Sequence, residues 1–250
     1  MKTSLLINYI QDQLDYISSI VLSINKDSDI EYLHGFRVAI RRTRSLLKLF
    51  FPNEQIINQE LKKIVQKTNT LRELDIFINS LDKELYPKLY KSIFQARTSF
   101  FQTIWTEKFI TNTIKKLEII KINLKEIKSS YTKKTYIKTA HSHYKKSIKK
   151  FESILSSDNE HKLHKIRIHF KVSKYALEFL HKTKLSKEKK RIKKCKSTQD
   201  LFGDIQDKTN QIDWLKNFCE SLHNSKECER LINIKRDELK KLKDMANKRA

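Results

Sequence analysis

The chain has 250 residues, with 53 lysines and arginines against 29 aspartates and glutamates, and a formal net charge of +24 at pH 7. Its two glycines and two prolines exclude the glycine-rich phosphate loops of many nucleotide-binding enzymes and the frequent turns of β-sandwiches and barrels. There is no run of 18 apolar residues that would predict a membrane-spanning helix, and no signal-peptide core. We therefore expect a cytoplasmic protein without a membrane partner.

Helical periodicity runs through most of the sequence and predicts an all-α fold. The predicted helices of the first half are 5–24, 30–51 with Asp29 as N-cap, 55–65, 75–81, 88–112 and 113–128. Those of the second half are 131–154, 160–181, 187–196, 205–223 and 227–250. The polar stretches 129–134 and 156–160 are the predicted breaks. We expect one domain made of two helical halves, about 1–128 and 129–250.

The cysteines are an odd number and include no CxxC pair. Cys195, Cys219 and Cys228 are widely spaced, so neither a disulfide framework nor a zinc knuckle is predicted. We expect reduced, buried thiols.

One short pattern occurs twice, about 130 residues apart. Residues 34–44 read HGFRVAIRRTR and residues 164–174 read HKIRIHFKVSK, so both follow the pattern His-x2-Arg-x3-basic-x2-basic. An acidic segment follows each copy after about forty residues, at 72–75 and at 203–207. Together, these matches predict an internal duplication of a helical bundle.

Each copy places its cations on one helix face. In the first copy they fall within an arc of about 80° on a helical wheel and form what we name the first stripe: His34, Arg37, Arg41, Arg44 and Lys48. The second stripe repeats this arrangement with His164, Arg167, Lys171 and Lys174. Apolar residues occupy the opposite face of both helices, which predicts that this face is buried.

Like charges three and four residues apart repel one another, so a stripe of this kind indicates an anionic partner. Arginine adds planar, bidentate donation to phosphate oxygens, and four of the eleven arginines fall between Arg37 and Arg44. Lysine bias alone would not produce that concentration. The alternative interpretation is that each stripe is an ordinary solvent-exposed surface without a ligand.

No catalytic set or metal site is predicted. The pairs His161 with His164 and His141 with His143 lack a carboxylate or thiol at matching spacing. The clustered carboxylates that could hold Mg²⁺ have a spacing that better suits helix N-termini or pairing with a cation. They are Glu73, Asp75, Asp204 and Asp207. We expect no cofactor and no enzymatic activity.

The two patterns together resemble the CHAD domain family, named for its conserved-histidine α-helical domain. The first half matches with residues 34–44 followed by Arg72-x2-Asp75-Ile76. The second half matches with residues 164–178 and with Gln199-x2-Phe202-Gly203-x2-Gln206-Asp207. The resemblance implies two pseudo-symmetric four-helix bundles around a central basic groove or pore, and binding of inorganic polyphosphate without hydrolysis.

Carried over by residue, the resemblance implies polyphosphate contacts at His34, Arg37, Arg41, Arg44, His164, Arg167, Lys171 and Lys174. Secondary contacts would be Arg42, Lys48, Arg72, Lys138, His141 and Lys145. The chain departs from the family pattern at Glu73, where Asp is usual, at Cys195, Thr198 and Phe202, where Leu is usual, and in using lysine rather than arginine in the second stripe. No Glu-x-Glu-x-Lys strand of a fused triphosphate hydrolase is present.

These observations predict a stand-alone polyphosphate-binding module in the cytoplasm. Within the cytoplasm, polyphosphate granules are the first location that the family resemblance implies. The alternative partner is nucleic acid, which a protein of this charge binds non-specifically. Only Tyr175 brings an aromatic ring near either stripe, whereas single-strand binders stack bases on exposed aromatic rings. A polyphosphate-cleaving enzyme ranks third and a scaffold for acidic proteins ranks fourth.

Overall fold

The computed structural model describes residues 4–25, 30–127, 131–153, 160–222 and 225–249, and these ranges contain ten helices and no strand. In the first half the helices are α1 (Leu5–Ser23), α2 (Ile30–Phe50), α3 (Gln55–Gln66), α4 (Asn69–Ser80), α5 (Pro87–Ile104) and α6 (Glu107–Glu126). In the second half they are α7 (Lys133–Glu152), α8 (Glu160–Lys182), α9 (Lys189–Leu222) and α10 (Ser225–Arg249). The all-α prediction is confirmed.

The helix order of the two halves is compatible with a duplication. Helices α7 and α8 begin about 130 residues after α1 and α2. The long helix α9 then takes the place of α3 and α4, and α10 follows where α5 and α6 stand in the first half. Each half therefore contains four helical units, two of which are interrupted in the first half.

Several helix ends have a visible local cause. The hydroxyl of Thr106 accepts a hydrogen bond from the backbone N–H of Phe109, and the hydroxyl of Thr132 accepts one from Thr135, which caps α6 and α7. Pro87 occupies the first position of α5, where its missing N–H costs nothing. Pro52 follows the end of α2, as predicted.

Three predicted boundaries were wrong. Helix α4 begins at Asn69 rather than at residue 75. The break between α5 and α6 lies at residues 105–106 rather than at 112–113, because the cap at Thr106 starts a new helix there. Residues 187–196 and 205–223 were predicted as separate helices, but α9 is continuous, and Leu201 and Phe202 in the predicted gap are buried on its inner face. The predicted N-cap Asp29 and much of the two predicted breaks lie outside the described residues.

The core is made by the apolar faces of the helices. Its main cluster joins both halves and includes Phe36, Ile40 and Phe50 from α2 and Phe170 and Phe179 from α8. The ring of Phe50 lies edge-on to Tyr136 and Phe179 at centroid distances of 5.4 and 5.9 Å. A second, smaller cluster lies between α4, α5, α9 and α10. The faces opposite the two predicted stripes are therefore buried, as the periodicity predicted.

Cys195 is a free, buried thiol, as predicted. The prediction was wrong for Cys228, which is buried and disulfide-bonded. The side chain of Cys219 lies outside the described set. None of the helices in the described ranges has the combination of length and apolarity that crossing a bilayer requires.

A buried ion pair joins α4 to α5. Arg97 Nε donates to Asp75 Oδ1 at 3.1 Å, and the two residues are 7% and 0% exposed. Burial raises the pKa of Asp75, and the hydrogen bond from Arg97 opposes that rise. Asp75 thus pairs with a cation, which was one of the two roles predicted for it.

We predict that Asp75→Ala lowers the free energy of unfolding by about 3–5 kcal/mol, since removing one member of a buried pair strongly destabilises a fold. Urea unfolding followed by circular dichroism measures the change. The exposed Asp237→Ala serves as the control and should stay within about 0.5 kcal/mol of the parent protein. A loss below about 1 kcal/mol for Asp75→Ala would show that the pair contributes little.

Candidate functional site

The two stripes meet because α2 packs directly against α8. Lys171 on α8 interacts electrostatically with Arg37 and Arg41 on α2 and with Arg167 and Lys174 on its own helix. Arg72, on α4, interacts with both Arg37 and Arg41. We name this group the cationic cluster: His34, Arg37, Arg41, Arg72, Arg167, Lys171 and Lys174.

The charge of the cationic cluster has no direct counterpart in the described residues. None of its seven members has a carboxylate oxygen within 4 Å there, although ion pairs occur elsewhere, as at Arg42 with Glu178 and Arg97 with Asp75. Carboxylates act on the cluster only at longer range, from Glu73 and Asp75 toward Arg37, from Asp207 toward Arg41 and from Glu31 toward His34. An anion that enters this region would therefore meet several unpaired cations.

Burial and mutual repulsion lower the pKa values of several members of the cationic cluster. Burial lowers the pKa of Lys171 to about 7, and the repulsion from its four cationic neighbours acts in the same direction. Burial also lowers the pKa of Arg41, with a contribution from Arg167. In His34 burial and the charge of Arg72 lower the pKa of the imidazole. At neutral pH the cluster is thus poised to gain a proton when an anion arrives.

Arg37 is part of the fold as well as of the cluster. It is 3% exposed, and its guanidinium donates to Val65 O at 2.9 Å, Thr68 Oγ1 at 2.5 Å and Asn69 Oδ1 at 2.8 Å. These three acceptors lie at the junction of α3 and α4. Burial lowers the pKa of Arg37 to about 9. Most of its N–H donors are therefore already in use, whereas its Nε is buried without a hydrogen-bond partner in the described structure.

The far end of the first stripe faces a different neighbour. Arg44 Nε donates to Asn58 Oδ1 at 3.1 Å, and the Asn58 amide donates back to Arg44 O at 2.9 Å. Arg44 and Lys48 line a cavity of about 540 Å³ between α2 and α3, together with Lys62. The stripe therefore continues past the cationic cluster into a second basic cavity.

Arg42, predicted as a secondary contact, ties the structure together. Its guanidinium donates to Gln13 Oε1 at 2.8 Å and to Glu178 Oε2 at 3.3 Å, and it lies 5.4 Å from the ring centre of Tyr175. These contacts link α2 to α1 and α8. The predicted anion contact at Arg42 thus competes with an internal carboxylate.

The guanidinium of Arg167 packs over Gly203 of α9. A Cβ at Gly203 would lie 3.6 Å from Arg167 Nε and 3.7 Å from Nη2. Arg167 Nε and Arg72 Nη1 are buried N–H donors without a hydrogen-bond partner in the described structure. A buried donor without a partner is costly. An acceptor atom of an anionic ligand at either position would therefore be stabilising.

His164 lies at the start of the second stripe, where its Nδ1 shares a hydrogen bond with Gln206 Oε1 of α9 at 2.9 Å. The sequence signature did contain Gln206 but gave no indication of this bond. Tyr175 was noted only as an aromatic residue near the second stripe. In the structure its ring lies between two cations, 5.3 Å from Lys174 Nζ and 5.4 Å from Arg42 Cζ.

The secondary contacts predicted on α7 lie apart from the cationic cluster. His141 Nε2 bonds the buried Glu188 Oε1 at 2.7 Å, beside Arg191. Lys138 lines a separate small cavity near His143, and Lys145 is exposed. The structure brings His34, Arg37, Arg41, Arg72, Arg167, Lys171 and Lys174 together, and it places Lys48, Lys138, His141 and Lys145 elsewhere.

The clustered carboxylates named in the sequence analysis do not form a metal centre: in the described residues no three metal-ligating side chains converge. Asp75 instead pairs with Arg97. Burial and the nearby Asp207 raise the pKa of Asp204. Glu73 and Asp207 line a cavity between α4 and α9.

We predict opposite effects for two neighbouring arginines of α2. Arg37→Ala should lower the free energy of unfolding by roughly 1.5–3 kcal/mol, because it removes charged hydrogen bonds to three acceptors. Arg41→Ala removes repulsion and no hydrogen bond seen in the structure, so it should leave stability unchanged or raise it. Urea unfolding measures both, and equal losses in the two variants would contradict this division.

We also predict that stability rises with pH through Lys171. The unfolded side chain, with a pKa of about 10.4, binds more protons than the folded one above a pH of about 7. The stability contribution therefore grows as pH rises through that window. Between pH 7 and 8.5 the wild type should gain about 1–2 kcal/mol relative to Lys171→Met. Urea unfolding across this range tests the difference, and parallel pH profiles for the two proteins would refute it.

Comparison with known proteins places this arrangement in a family. The sequence model of the CHAD domain matches residues 8–216. The crystal structure of the CHAD domain from the plant Ricinus communis is similar with a TM-score of 0.73 and 19% sequence identity, covering 96% of this chain and 84% of that chain. At that identity the similarity concerns the fold alone. No curated protein sequence matches the chain significantly. Because the family match spans most of its length, the chain belongs to the CHAD domain family.

Proposed function

We propose that this protein binds inorganic polyphosphate through the cationic cluster, without catalysing its hydrolysis. The observation that carries the proposal is the convergence of seven cationic side chains from both halves of the chain, with no carboxylate oxygen within 4 Å of any of them in the described residues. Membership of the CHAD family agrees with it. An anionic ligand would replace the missing counter-charge.

The extent of the basic surface favours a polymeric ligand over a single phosphate. From His34 to Lys48 the first stripe rises by about 21 Å along α2, and its far end lines a basic cavity separate from the cationic cluster. A chain of phosphates could contact both regions at once, whereas one phosphate ion could not. Many such contacts release counterions, so affinity should fall steeply with salt.

The aromatic side chain at the stripes argues against single-stranded nucleic acid as the preferred ligand. Tyr175 is 3% exposed and is flanked by Arg42 and Lys174. Its ring is therefore not available to stack on a base, which is the usual platform in single-strand binders. Backbone phosphates could still bind non-specifically, so nucleic acid remains the competitor to test.

The proposed location follows from the proposed ligand. A protein with a dedicated polyphosphate site would associate with polyphosphate granules in the cytoplasm. We propose no catalytic role, and the absence of a convergent metal-ligand set in the described residues offers no support for one.

The experiment is a competition at about 150 mM salt, in which labelled long-chain polyphosphate is challenged with DNA or RNA at equal phosphate concentration in a phosphate-free buffer. Arg41→Ala/Arg167→Ala removes two cluster cations that make no hydrogen bond to the fold in the described structure. Lys88→Ala/Lys91→Ala removes the same charge from an exposed face of α5. The cluster variant leaves Arg37 in place, because Arg37 supports the fold.

We predict that polyphosphate outcompetes nucleic acid by at least tenfold for the wild type and for the α5 control, and that the cluster variant loses this preference. The salt dependence of the cluster variant should also be shallower, because fewer phosphates are neutralised. Equal competition by nucleic acid in the wild type, or an equal loss in both variants, would show that binding depends only on the net charge of the protein and not on a specific site. Release of orthophosphate in the presence of Mg²⁺ would contradict the non-catalytic assignment.

A further inference from the structure

A groove of opposite character lies between α4 and α9, next to the cationic cluster. Its volume is about 300 Å³, at the lower end of the range for pockets that bind small ligands. Six of its lining residues define its chemistry: Glu73 and Phe77 from α4, and Asp207, Gln211, Asp213 and Trp214 from α9. Three are carboxylates, in a protein whose net charge is +24.

The carboxylates of this groove have no close cationic partner among the described residues, and Glu73 and Asp207 interact with the cationic cluster only at longer range. In the described parts of the chain, Glu73 and Asp207 have neither an ion pair within 4 Å nor a side-chain hydrogen bond. Asp213 has only a long contact of 3.8 Å with Lys216 on its own helix. Glu73 and Asp213 are exposed and Asp207 is half-buried, so all three are accessible to a cation that comes from solution.

A buried acceptor points in the same direction. Gln211 is 4% exposed, lines the groove, and its Oε1 has no hydrogen-bond partner in the described structure. Its orientation is fixed by Ser80, whose hydroxyl donates to Phe77 O at 3.1 Å and so can only accept from Gln211 Nε2 at 3.0 Å. The amide oxygen is therefore left as an acceptor that needs a donor.

Trp214 is half-buried and adds an apolar surface to the groove, whereas Phe77 is 2% exposed and supports it from the core. The rings of Phe77 and Trp214 lie 4.9 Å apart, and Trp214 stacks on Phe218 at 4.1 Å. Aromatic faces accommodate alkyl chains and attract ammonium groups. A hydrated divalent metal would use none of this surface, and no three metal-ligating side chains converge in the described residues.

We propose that the α4–α9 groove binds an aliphatic polyamine, that is, an alkyl chain with two or more ammonium groups. The carboxylates of Glu73, Asp207 and Asp213 receive the ammonium groups, Gln211 Oε1 accepts an N–H bond, and the methylene chain lies against Trp214. Separate carboxylates on two helices match separate charges on one chain. A monoamine would satisfy only part of this set.

The groove is electrically connected to the cationic cluster. Glu73 acts on Arg37 and Asp207 acts on Arg41, so ammonium groups on these carboxylates would increase the positive potential at the cluster. Binding of a polyamine and of an anion should then be mutually favourable, since linkage is reciprocal. This consequence rests on the proposed function, whereas the groove itself does not.

The test is isothermal titration of the protein alone with spermine, hexane-1,6-diamine, hexylamine and Mg²⁺ at fixed ionic strength, with no polyphosphate present. Glu73→Gln/Asp207→Asn removes two groove carboxylates, and Glu107→Gln/Asp244→Asn makes the same charge change at exposed sites of α6 and α10. Gln211→Met alters the acceptor without changing charge. Circular dichroism confirms that each variant is folded.

We expect spermine and the diamine to bind at least tenfold more tightly than hexylamine or Mg²⁺. The groove double variant should lose at least tenfold in spermine affinity, Gln211→Met should lose several-fold, and the exposed control should match the wild type. Absence of spermine binding, equal binding of Mg²⁺, or equal losses in both double variants would overturn the proposal. Because no polyphosphate is used, these outcomes do not depend on whether polyphosphate is the anion.

Discussion

The packing of α2 against α8 imposes the constraint on which the rest of the structure depends, because it brings two rows of like charge together. The apolar faces behind these rows, with Phe36, Ile40 and Phe50 on α2 and Phe170 and Phe179 on α8, form the main core. Burial of those faces favours the fold, while the charges in front oppose it. The lowered pKa of Lys171, to about 7, reflects that conflict. An anion would relieve it without any change of fold.

The arginines of α2 and α8 differ in their roles. Arg42 and Arg37 hold the structure, the first through Glu178 and Gln13 and the second through the α3–α4 junction. Arg41 and Arg167 make no such bonds and contribute charge. Arg41 is half-buried close to Arg167 and Arg72, so an anion would meet cations that are already gathered in the absence of a ligand. Such pre-organisation reduces the cost of binding.

Sequence periodicity was sufficient for the all-α fold, most helices and the two stripes, since each depends on residues close in the chain. Periodicity could not show which distant residues a side chain contacts. The bonds from Arg37 to Val65 and Thr68 depend on a turn some thirty residues away, and the pairing of Arg42 with Glu178 depends on the docking of the two halves. His141 was predicted as a secondary phosphate contact because the sequence could not show that its side chain bonds Glu188. The α4–α9 groove arises from packing between halves and has no local signature.

The most direct test of the account is the titration of the Lys171 amine by NMR, with and without saturating polyphosphate, assigned through Lys171→Arg. The account predicts a pKa near 7 in the free protein, and a rise of more than one unit when polyphosphate binds, because the anion stabilises the charged form. A free value close to the ordinary 10.4 would contradict the confinement of charge. A value near 7 that polyphosphate leaves unchanged would show that the anion binds elsewhere.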